Sequence, residues 1–381
     1  MRIYSEFEYR GTSFLVALFL LISGFQAVTV GIAQNAAAAD LLTWTESTVP
    51  KVSYSLYGIA ANSDGTRVFV GAQKGGFLST NSGTSWSEIA ALNNVNSSGY
   101  QVGVGMSLDG TKMYYAFNNK VYYSWDSGTT WSNTTTNSSN KEIWSISTSY
   151  DGTKILATTR DGGLYSYSTD SGQSWTVVND SYGGGWAGAI SGDGTKIIIA
   201  ERNSKSRATG SGIPRMGPIA GPLTAIAAGG AGNGFDAINT SSYNDWRGAA
   251  CDATCTHIVL SNAQGGLYTS SDSGATWVVG ASTYSTNFKN LVFGAASTTP
   301  DGSRISASVT WDLGTGTYIS TDYGVNWTYQ NSATGADGTF VTNTGNAVYS
   351  MSSGPSTNTT IKRGVFQTAT STTLQFEKLP V

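Results

Sequence analysis

The stretch Ser168-Thr169-Asp170-Ser171-Gly172-Gln173-Ser174-Trp175 returns several times along the chain. Close copies occupy 124–131, 270–277 and 320–327, and a version with Asn81 in place of the aspartate occupies 79–86. Each copy follows a run of alternating apolar and polar residues, which is typical of a half-buried strand. The Asp side chain can accept hydrogen bonds from N–H groups two or three residues on, and Gly supplies the positive φ that closes a turn. The sequence therefore predicts a repeated strand-turn-strand unit.

The tryptophan that ends each copy is a large apolar side chain, and we expect it to pack into the neighbouring layer. These tryptophans are separated by 45, 44, 102 and 50 residues, the third interval being two units with one turn missing. This period is that of a four-stranded propeller blade. We predict structural roles for the aromatic and acidic members of the copies, which are Trp86, Trp131, Trp175, Trp277, Trp327, Asp126, Asp170, Asp272 and Asp322.

A second marker, Asp-Gly between apolar runs, is the signal of a hairpin turn. It occurs at 64–65, 109–110, 151–152, 193–194 and 301–302, with a turn at 251–255 and a weaker one near Gly345 completing the series. Residues 40–381 are thus predicted to form an all-β, seven-bladed β-propeller of four-stranded antiparallel blades. Closure of the ring by N- and C-terminal strands removes exposed sheet edges.

Blades 4 and 7 depart from the repeat. Blade 4 has no copy of the turn, and 202–238, rich in Gly, Ala and Pro, is predicted to be a long connection between its second and third strands. In blade 7, 364–367 and 374–377 are predicted to be the third and fourth strands. Residues 44–46 resemble 86–88, which predicts either the outer strand of the closing blade or an extra strand beside it.

The pattern Ser/Thr-x-Asp-x-Gly-x-x-Trp resembles the Asp-box of the sialidase-type (BNR) β-propeller superfamily, in which sialidases, sortilin-like receptors and photosystem II assembly factors are found. In that family the box lies on the turn between the third and fourth strands of a blade, away from the ligand-binding face. The resemblance therefore implies a fold rather than a chemistry. It also implies that ligands bind at the rim opposite the Asp-boxes.

The first 39 residues contain the apolar run 14–22 and end in the small-residue stretch 33–39, a pattern typical of a secretory signal peptide. An uncleaved signal anchor is the alternative, because the apolar run to residue 33 reaches about 20 residues. Either interpretation predicts an exported protein, secreted or at the cell surface. A membrane is a partner only if the segment stays uncleaved.

Charged residues make up 12% of the chain and the net charge is −3, so the sequence has no electrostatic footprint for nucleic acid. In an exported protein the close pair Cys251 and Cys255 indicates a small disulfide. A zinc site would need more ligands, and His257 is the one histidine. We therefore predict no metal and no cofactor.

Several residues are predicted to surround the mouth of the central channel on the ligand rim. The aromatic candidates stand about seven residues before each hairpin aspartate, and the polar candidates stand on the rim loops: Tyr57, Trp144, Trp186, Trp246, Phe293, Arg160, Asp161, Glu201, Arg202, Trp311 and Asp312. Aromatic faces beside polar groups suit a sugar ring. The alternative is that the aromatic residues only fill the wedge between blades.

A sialidase would need an arginine cluster on this rim, a tyrosine nucleophile and a general acid. Arg67 and Arg304 stand at the hairpin turns instead, and the Arg-Ile-Pro signature of the family is absent. Another glycoside hydrolase is the alternative, with carboxylates from Asp161, Glu201, Asp245 or Asp312, although no spacing pairs them. The leading prediction is a non-catalytic binding or surface-assembly module for a glycan or an extracellular protein, with possible self-assembly and a ligand on the blade 4–5 side.

Overall fold

The structure is a computed structural model, which describes residues 8–9, 12–13, 42–50, 55–93, 103–136, 141–159, 164–179, 185–201, 214–226, 246–262, 266–282, 293–309, 316–330, 336–352 and 360–367. The chain divides into two compact units, Met1–Leu41 and Leu42–Val381. In the first unit the strands Glu8–Tyr9 and Thr12–Ser13 pair antiparallel. Within the described ranges, no helix is long and apolar enough to cross a membrane.

The second unit consists of seven blades, each with four antiparallel strands, and in blades 1 to 6 these strands follow the chain in order. Blade 1 contains Leu56–Ala61, Val68–Ala72, Gly75–Ser79 and Ser87–Glu88, and the short 3₁₀ helix Ala90–Leu92 follows it. Blade 2 contains Gly103–Met106, Met113–Phe117, Lys120–Ser124 and Ser132–Thr135. Blade 3 contains Ile143–Thr148, Ile155–Thr159, Leu164–Ser168 and Thr176–Asn179. Blade 4 contains Gly185–Ile190, Lys196–Glu201, Arg215–Pro218 and Thr224–Ala225.

The remaining blades repeat the arrangement. Blade 5 contains Trp246–Cys251, Ile258–Asn262, Leu267–Ser270 and Val278–Val279. Blade 6 contains Phe293–Thr298, Ile305–Val309, Gly316–Ser320 and Asn326–Gln330, and the added strand Ala281–Ser282 pairs parallel with its outer strand. Blade 7 contains Ala336–Val341, Ala347–Ser352, Thr360–Phe366 and Leu42–Thr48. The first strands contact one another around the ring, blade 7 against blade 1 included, which confirms the seven-bladed propeller.

The ring closes through a strand from the other end of the chain. Leu42–Thr48 pairs antiparallel with Thr360–Phe366 along its whole length, from Leu42 opposite Phe366 to Thr48 opposite Thr360. The first of the two alternatives for residues 44–46 is therefore correct, and they belong to the outer strand of blade 7. The prediction that 374–377 form the fourth strand of blade 7 is therefore wrong, and those residues lie outside the described ranges.

The connection between the second and third strands of blade 4 is long, as predicted, but it ends before Arg215, so the extent predicted for it, 202–238, is wrong. The third and fourth strands of blade 4 lie inside this segment, joined by a tight turn in which the Gly221 N–H donates to the Pro218 carbonyl at 3.1 Å. The turn also keeps a bond that the other blades make, from the Ile219 N–H to the Thr195 carbonyl at 3.1 Å, matching Ser171 to Thr153 in blade 3 at 2.8 Å. Blade 4 thus keeps this bond to its hairpin turn, but without the Asp and Trp and without the two positive-φ residues that mark the turn in the other blades.

The repeated turns are held by a small hydrogen-bond network centred on the aspartate. In blade 3 the Ser168 hydroxyl donates to Asp170 Oδ1 at 2.8 Å and accepts the Gly172 N–H at 2.9 Å. Asp170 Oδ1 also accepts the Ser174 N–H at 2.9 Å. The carboxylate therefore reaches the N–H four residues on, and the predicted two or three is wrong. The reason is that Ser171 and Gly172 both have positive φ, 60° and 87°, which curls the chain around the carboxylate.

Each tryptophan of these turns lies against the preceding blade. Trp277 Nε1 donates to the carbonyl of Ile226, which follows blade 4, and Trp175 Nε1 donates to Thr134 Oγ1 of blade 2. Trp86 Nε1 reaches Ser47 Oγ of blade 7 at 3.1 Å. Large rings between twisted sheets fill the wedge that widens away from the axis. The turns therefore join neighbouring blades as well as closing their own.

The hairpin turns between first and second strands form a second connection around the ring. Backbone N–H groups of one turn donate to the carbonyl of the next at 2.8 to 3.1 Å: Ser63 to Leu108, Leu108 to Tyr150, Tyr150 to Gly192, Asp193 to Ala253, Ala253 to Pro300, and Thr344 to Ser63. Among the described residues, the turns of blades 6 and 7 make no such bond, because Pro300 has no N–H to donate. There Arg304 donates to the Gly345 carbonyl and its guanidinium lies 4.3 Å from the Phe366 ring centre.

The turn of blade 5 is braced by the predicted disulfide between Cys251 and Cys255, which the structure confirms. Cys255 takes the place of the usual glycine, with φ of 53°, and its N–H donates to the Asp252 carbonyl. The Asp252 carboxylate accepts the N–H groups of Thr254, Thr256 and His257 at 2.9 to 3.0 Å. Side-chain bonds and the disulfide thus hold a turn that elsewhere depends on glycine.

The innermost strands of blades 5 and 6 approach each other closely at Gly248. A Cβ on Gly248 would lie 2.4 Å from the Gly294 carbonyl oxygen and 3.0 Å from the Ala296 nitrogen, backbone atoms of the next blade. We expect Gly248→Val to lower the free energy of unfolding by about 3 kcal/mol, the upper end of overpacking costs. Gly364→Ala is the control, because the atoms nearest its Cβ belong to the side chains of Leu42 and Trp44, which can move. Equal thermal stability of the two variants would contradict the prediction.

Candidate functional site

The two rims of the propeller differ in what they contain. Each first strand runs toward the hairpin turn, so that turn and the repeated turn between third and fourth strands share one rim, which we call the turn rim. The other rim carries the starts of the first strands, the loops between second and third strands and the connections between blades. We call it the bulge rim, because the first strands carry β-bulges there.

The first strand carries a β-bulge at the bulge rim in six blades, where one residue is inserted relative to the second strand. In blade 2 the corresponding residues lie outside the described ranges. The inserted residue stands eight residues before the positive-φ residue of the hairpin turn, which gives Tyr57, Trp144, Trp186, Arg247, Gly294 and Asp337. Bulges redirect side chains and are frequent at barrel rims and next to active sites. They put this set of residues at one height around the channel mouth.

Trp246 does not belong to this set. It pairs with Asn262, one residue before the bulge, in the position that Leu56 and Ile143 occupy in blades 1 and 3. Its side chain is fully buried and its ring packs edge-on against Tyr268 at 5.5 Å. Packing therefore accounts for Trp246, and a ring so enclosed offers no face to a ligand. Phe293 pairs with Val309 in the same position of blade 6.

Arg247 is the residue that sequence reasoning missed in blade 5, and Asp337 is the one it missed in blade 7. Both follow from a strict count of eight residues back from Cys255 and Gly345, the positive-φ residues of their turns. The count was available in the sequence. It was obscured because neither turn contains the Asp-Gly pair from which the other blades are counted.

Three of the bulge residues have described side chains. Tyr57, Trp144 and Arg247 are each half-buried, so part of every side chain faces solvent. Tyr57 also packs against the apolar cluster between blades 1 and 2, which contains Phe69 and Val104. A ring that is anchored on one side and exposed on the other is suited to contact a ligand without being free to move.

The remaining predicted site residues are placed only in part. Glu201 ends the second strand of blade 4 and pairs with Gly185, next to the bulge at Trp186. Five predicted ligand residues lie outside the described ranges and remain predictions: Arg160, Asp161, Arg202, Trp311 and Asp312. Asp245, a candidate carboxylate for the hydrolase alternative, also lies outside them.

Several buried tyrosines have a raised pKa, which bears on a sialidase mechanism and not on the carboxylate pair of the hydrolase alternative. Burial raises the pKa of Tyr268 to about 12 and raises the pKa of Tyr114, Tyr150 and Tyr349 as well. A tyrosine nucleophile would need the opposite shift. In the described ranges, no group of three or more His, Cys, Asp or Glu side chains is arranged to hold a metal ion.

Comparison with known proteins gives a fold but no family. No protein-family model matches the sequence, and no curated protein matches it either. Solved structures of YCF48 are similar. The one described as YCF48 bound to D1 peptide has a TM-score of 0.58 at 11% identity, covering 85% of this chain and 97% of that one. YCF48 from Cyanidioschyzon merolae has a TM-score of 0.58 at 13% identity, covering 84% and 98%. At this identity the likeness shows that the chain shares the propeller fold.

Proposed function

We propose that the protein is an exported, non-catalytic binding or assembly module that holds a polypeptide partner across the channel mouth of the bulge rim. The repeated turns are, on this proposal, the Asp-boxes of a sialidase-type propeller. They serve packing and leave the opposite rim for recognition. The signal-peptide pattern of residues 1–39 supports export.

The observation that carries the proposal is the ring of bulge residues. Aromatic residues stand in blades 1, 3 and 4, and charged residues stand in blades 5 and 7, with Gly294 between them. An extended polypeptide needs apolar contact for its side chains and a donor and an acceptor for its backbone. In this proposal the half-buried rings of Tyr57 and Trp144 supply the apolar contact, and the half-buried Arg247 supplies the donor.

The choice of a polypeptide over other ligands is favoured by the similarity to the structure of YCF48 with a bound D1 peptide. Glycan is the second candidate. The half-buried rings of Tyr57 and Trp144 support it, because an anchored aromatic face also suits a sugar ring.

The test uses the intact chain on an array of extended peptides and on a glycan array. We expect saturable peptide binding that weakens more than about tenfold in Trp144→Ala and in Arg247→Ala, the loss typical of central contacts. Val177→Thr, at an exposed position in the outer strand of blade 3, is the control and should bind as the parent chain does. Binding to glycans alone would replace the polypeptide by the second candidate. Binding unaffected by both substitutions would place the site elsewhere.

A further inference from the structure

The turn of blade 6 departs from the other repeated turns at its most exposed positions. The residue after the aspartate or asparagine is serine in blades 1, 2, 3 and 5 but Tyr323 in blade 6, all with positive φ between 57° and 61°. A bulky residue in this region is uncommon and costs about 1 kcal/mol or more. The same turn carries Val325, where the others have Thr, Gln or Ala. A strained aromatic that replaces an acceptable serine points to a role beyond closing the turn.

Tyr323 is held in place by the neighbouring blade. Its ring lies 4.7 Å from the ring of His257, which stands where blades 1 to 4 and 6 have Lys or Arg. His257 Nδ1 is in turn 2.7 Å from Asp252 Oδ2, in the turn braced by the disulfide. Tyr323 is nevertheless 45% exposed. The arrangement is a fixed aromatic platform open to solvent.

The platform continues into an exposed apolar surface. Val325 is 56% exposed, and Val278 in the outer strand of blade 5 is 52% exposed. Val278 pairs directly with Thr269, so both side chains lie on the same face of the sheet. The Thr269 side chain lies against Gly324, since a Cβ there would be 2.3 Å from Thr269 Cγ2. Val278 thus faces the turn that carries Tyr323 and Val325, and the three residues form what we call the seam surface.

Two carboxylates lie next to the seam surface. Asp322 precedes Tyr323, and Asp301 accepts the N–H of Ser303, whose carbonyl accepts the Tyr323 N–H at 3.2 Å. Burial acts to raise the pKa of both carboxyls, but hydrogen bonds outweigh it and hold both pKa values below their ordinary range. Both are ionised at neutral pH. Arg304 reaches away from this surface, to Gly345 and Phe366 of blade 7.

We propose that the seam surface of Val278, Tyr323 and Val325 is a second docking site, for an extended segment of a partner protein that presents an apolar side chain next to Lys or Arg. The apolar area supplies contact and the two carboxylates select the basic flank. The site lies on the turn rim, so it is separate from the channel mouth and does not depend on the function proposed there.

The test exploits the repeat itself. Tyr323→Ser with Val325→Thr restores residues that other turns of this chain use, so the double variant should fold as well as the parent. The probe is a phage-displayed library of linear heptapeptides selected on the intact chain. We expect enriched peptides that combine an aromatic or aliphatic residue with Lys or Arg. As synthetic peptides they should bind the double variant at least about tenfold more weakly and lose affinity in 0.5 M salt.

The control is Val177→Thr, an exposed valine of blade 3, which should leave peptide binding unchanged. Arg247→Ala separates the two sites, since binding at the seam surface should survive it. Failure to enrich peptides, enrichment of acidic peptides, or equal binding by the double variant would overturn the proposal. So would self-association of the parent chain in sedimentation that the double variant abolishes, because a second copy would then be the occupant.

Discussion

Replacing Trp277 by alanine is expected to lower the free energy of unfolding by about 3–5 kcal/mol, the range for removing a buried aromatic side chain. Trp277 is 4% exposed and belongs to the apolar cluster between blades 4 and 5, with Ile258 and Trp246. Its Nε1 donates to the carbonyls of Ile226 and Gly274 at 2.9 and 3.0 Å. The substitution therefore removes packing and leaves two buried acceptors without this donor. Denaturant unfolding of the intact chain measures the loss.

Trp175→Ala is the matched control, because it occupies the same turn position but is only half-buried. Its Nε1 bonds go to Thr134 Oγ1 and to the Gly172 carbonyl. We expect a smaller loss of unfolding free energy, because folding removes less apolar surface of Trp175 from water. Neither variant should change binding at the bulge rim beyond what lower stability explains. A Trp277→Ala protein with unchanged stability but no binding would show that the turn serves recognition.

Much of the fold could be predicted because its markers are local. A Ser-x-Asp-x-Gly-x-x-Trp turn has its own hydrogen-bond network, so four such copies and a fifth with Asn81 in place of Asp mark five of the blades. Blade 4 shows the limit of this approach. Its strands Arg215–Pro218 and Thr224–Ala225 have no marker residue. The first is held by pairing with Lys196–Glu201 and the second by pairing with the first, contacts that no local pattern reveals.

The candidate site was predicted less well because it depends on register. Trp246 and Arg247 are adjacent in sequence, but one side chain is buried and the other is half-exposed, since the bulge falls between Trp246 and Gly248. A one-residue shift reverses which face a strand side chain takes. An approximate count from the hairpin could place the aromatic residues near the rim. Only the exact register separates the packing residue from the exposed one.

Acid should unfold the protein cooperatively, the second large effect we predict. Nine turn carboxyls have a pKa below the ordinary value: Asp64, Asp109, Asp126, Asp151, Asp170, Asp193, Asp272, Asp301 and Asp322. For Asp126, bonds from the Thr130 hydroxyl and N–H and from Ser124 lower the pKa to about 2. A carboxyl whose pKa falls on folding stabilises the fold above its unfolded pKa and loses that contribution as pH drops through the folded one.

The expected profile follows from the sign of these shifts. Thermal stability should be level from neutral pH down to about pH 5 and should fall between about pH 4 and pH 2, as the nine carboxyls take up protons on unfolding. Circular dichroism melts over this range measure it. A midpoint that stays constant to pH 2 would contradict the assignment of these carboxylates as stabilising acceptors.

Blade 1 shows which substitution can serve as a control, because it makes the same turn with Asn81 in place of the aspartate. Its Oδ1 accepts the Ser85 N–H at 2.9 Å and the Ser79 hydroxyl at 2.9 Å, and its Nδ2 donates to Ser85 Oγ at 2.8 Å. An amide therefore reproduces the network without a titrating group. We expect Asp126→Asn with Asp170→Asn to keep the fold at neutral pH and to lose less stability than the parent between about pH 4 and pH 2. If the variant declined as steeply, protonation elsewhere would have to drive the acid transition.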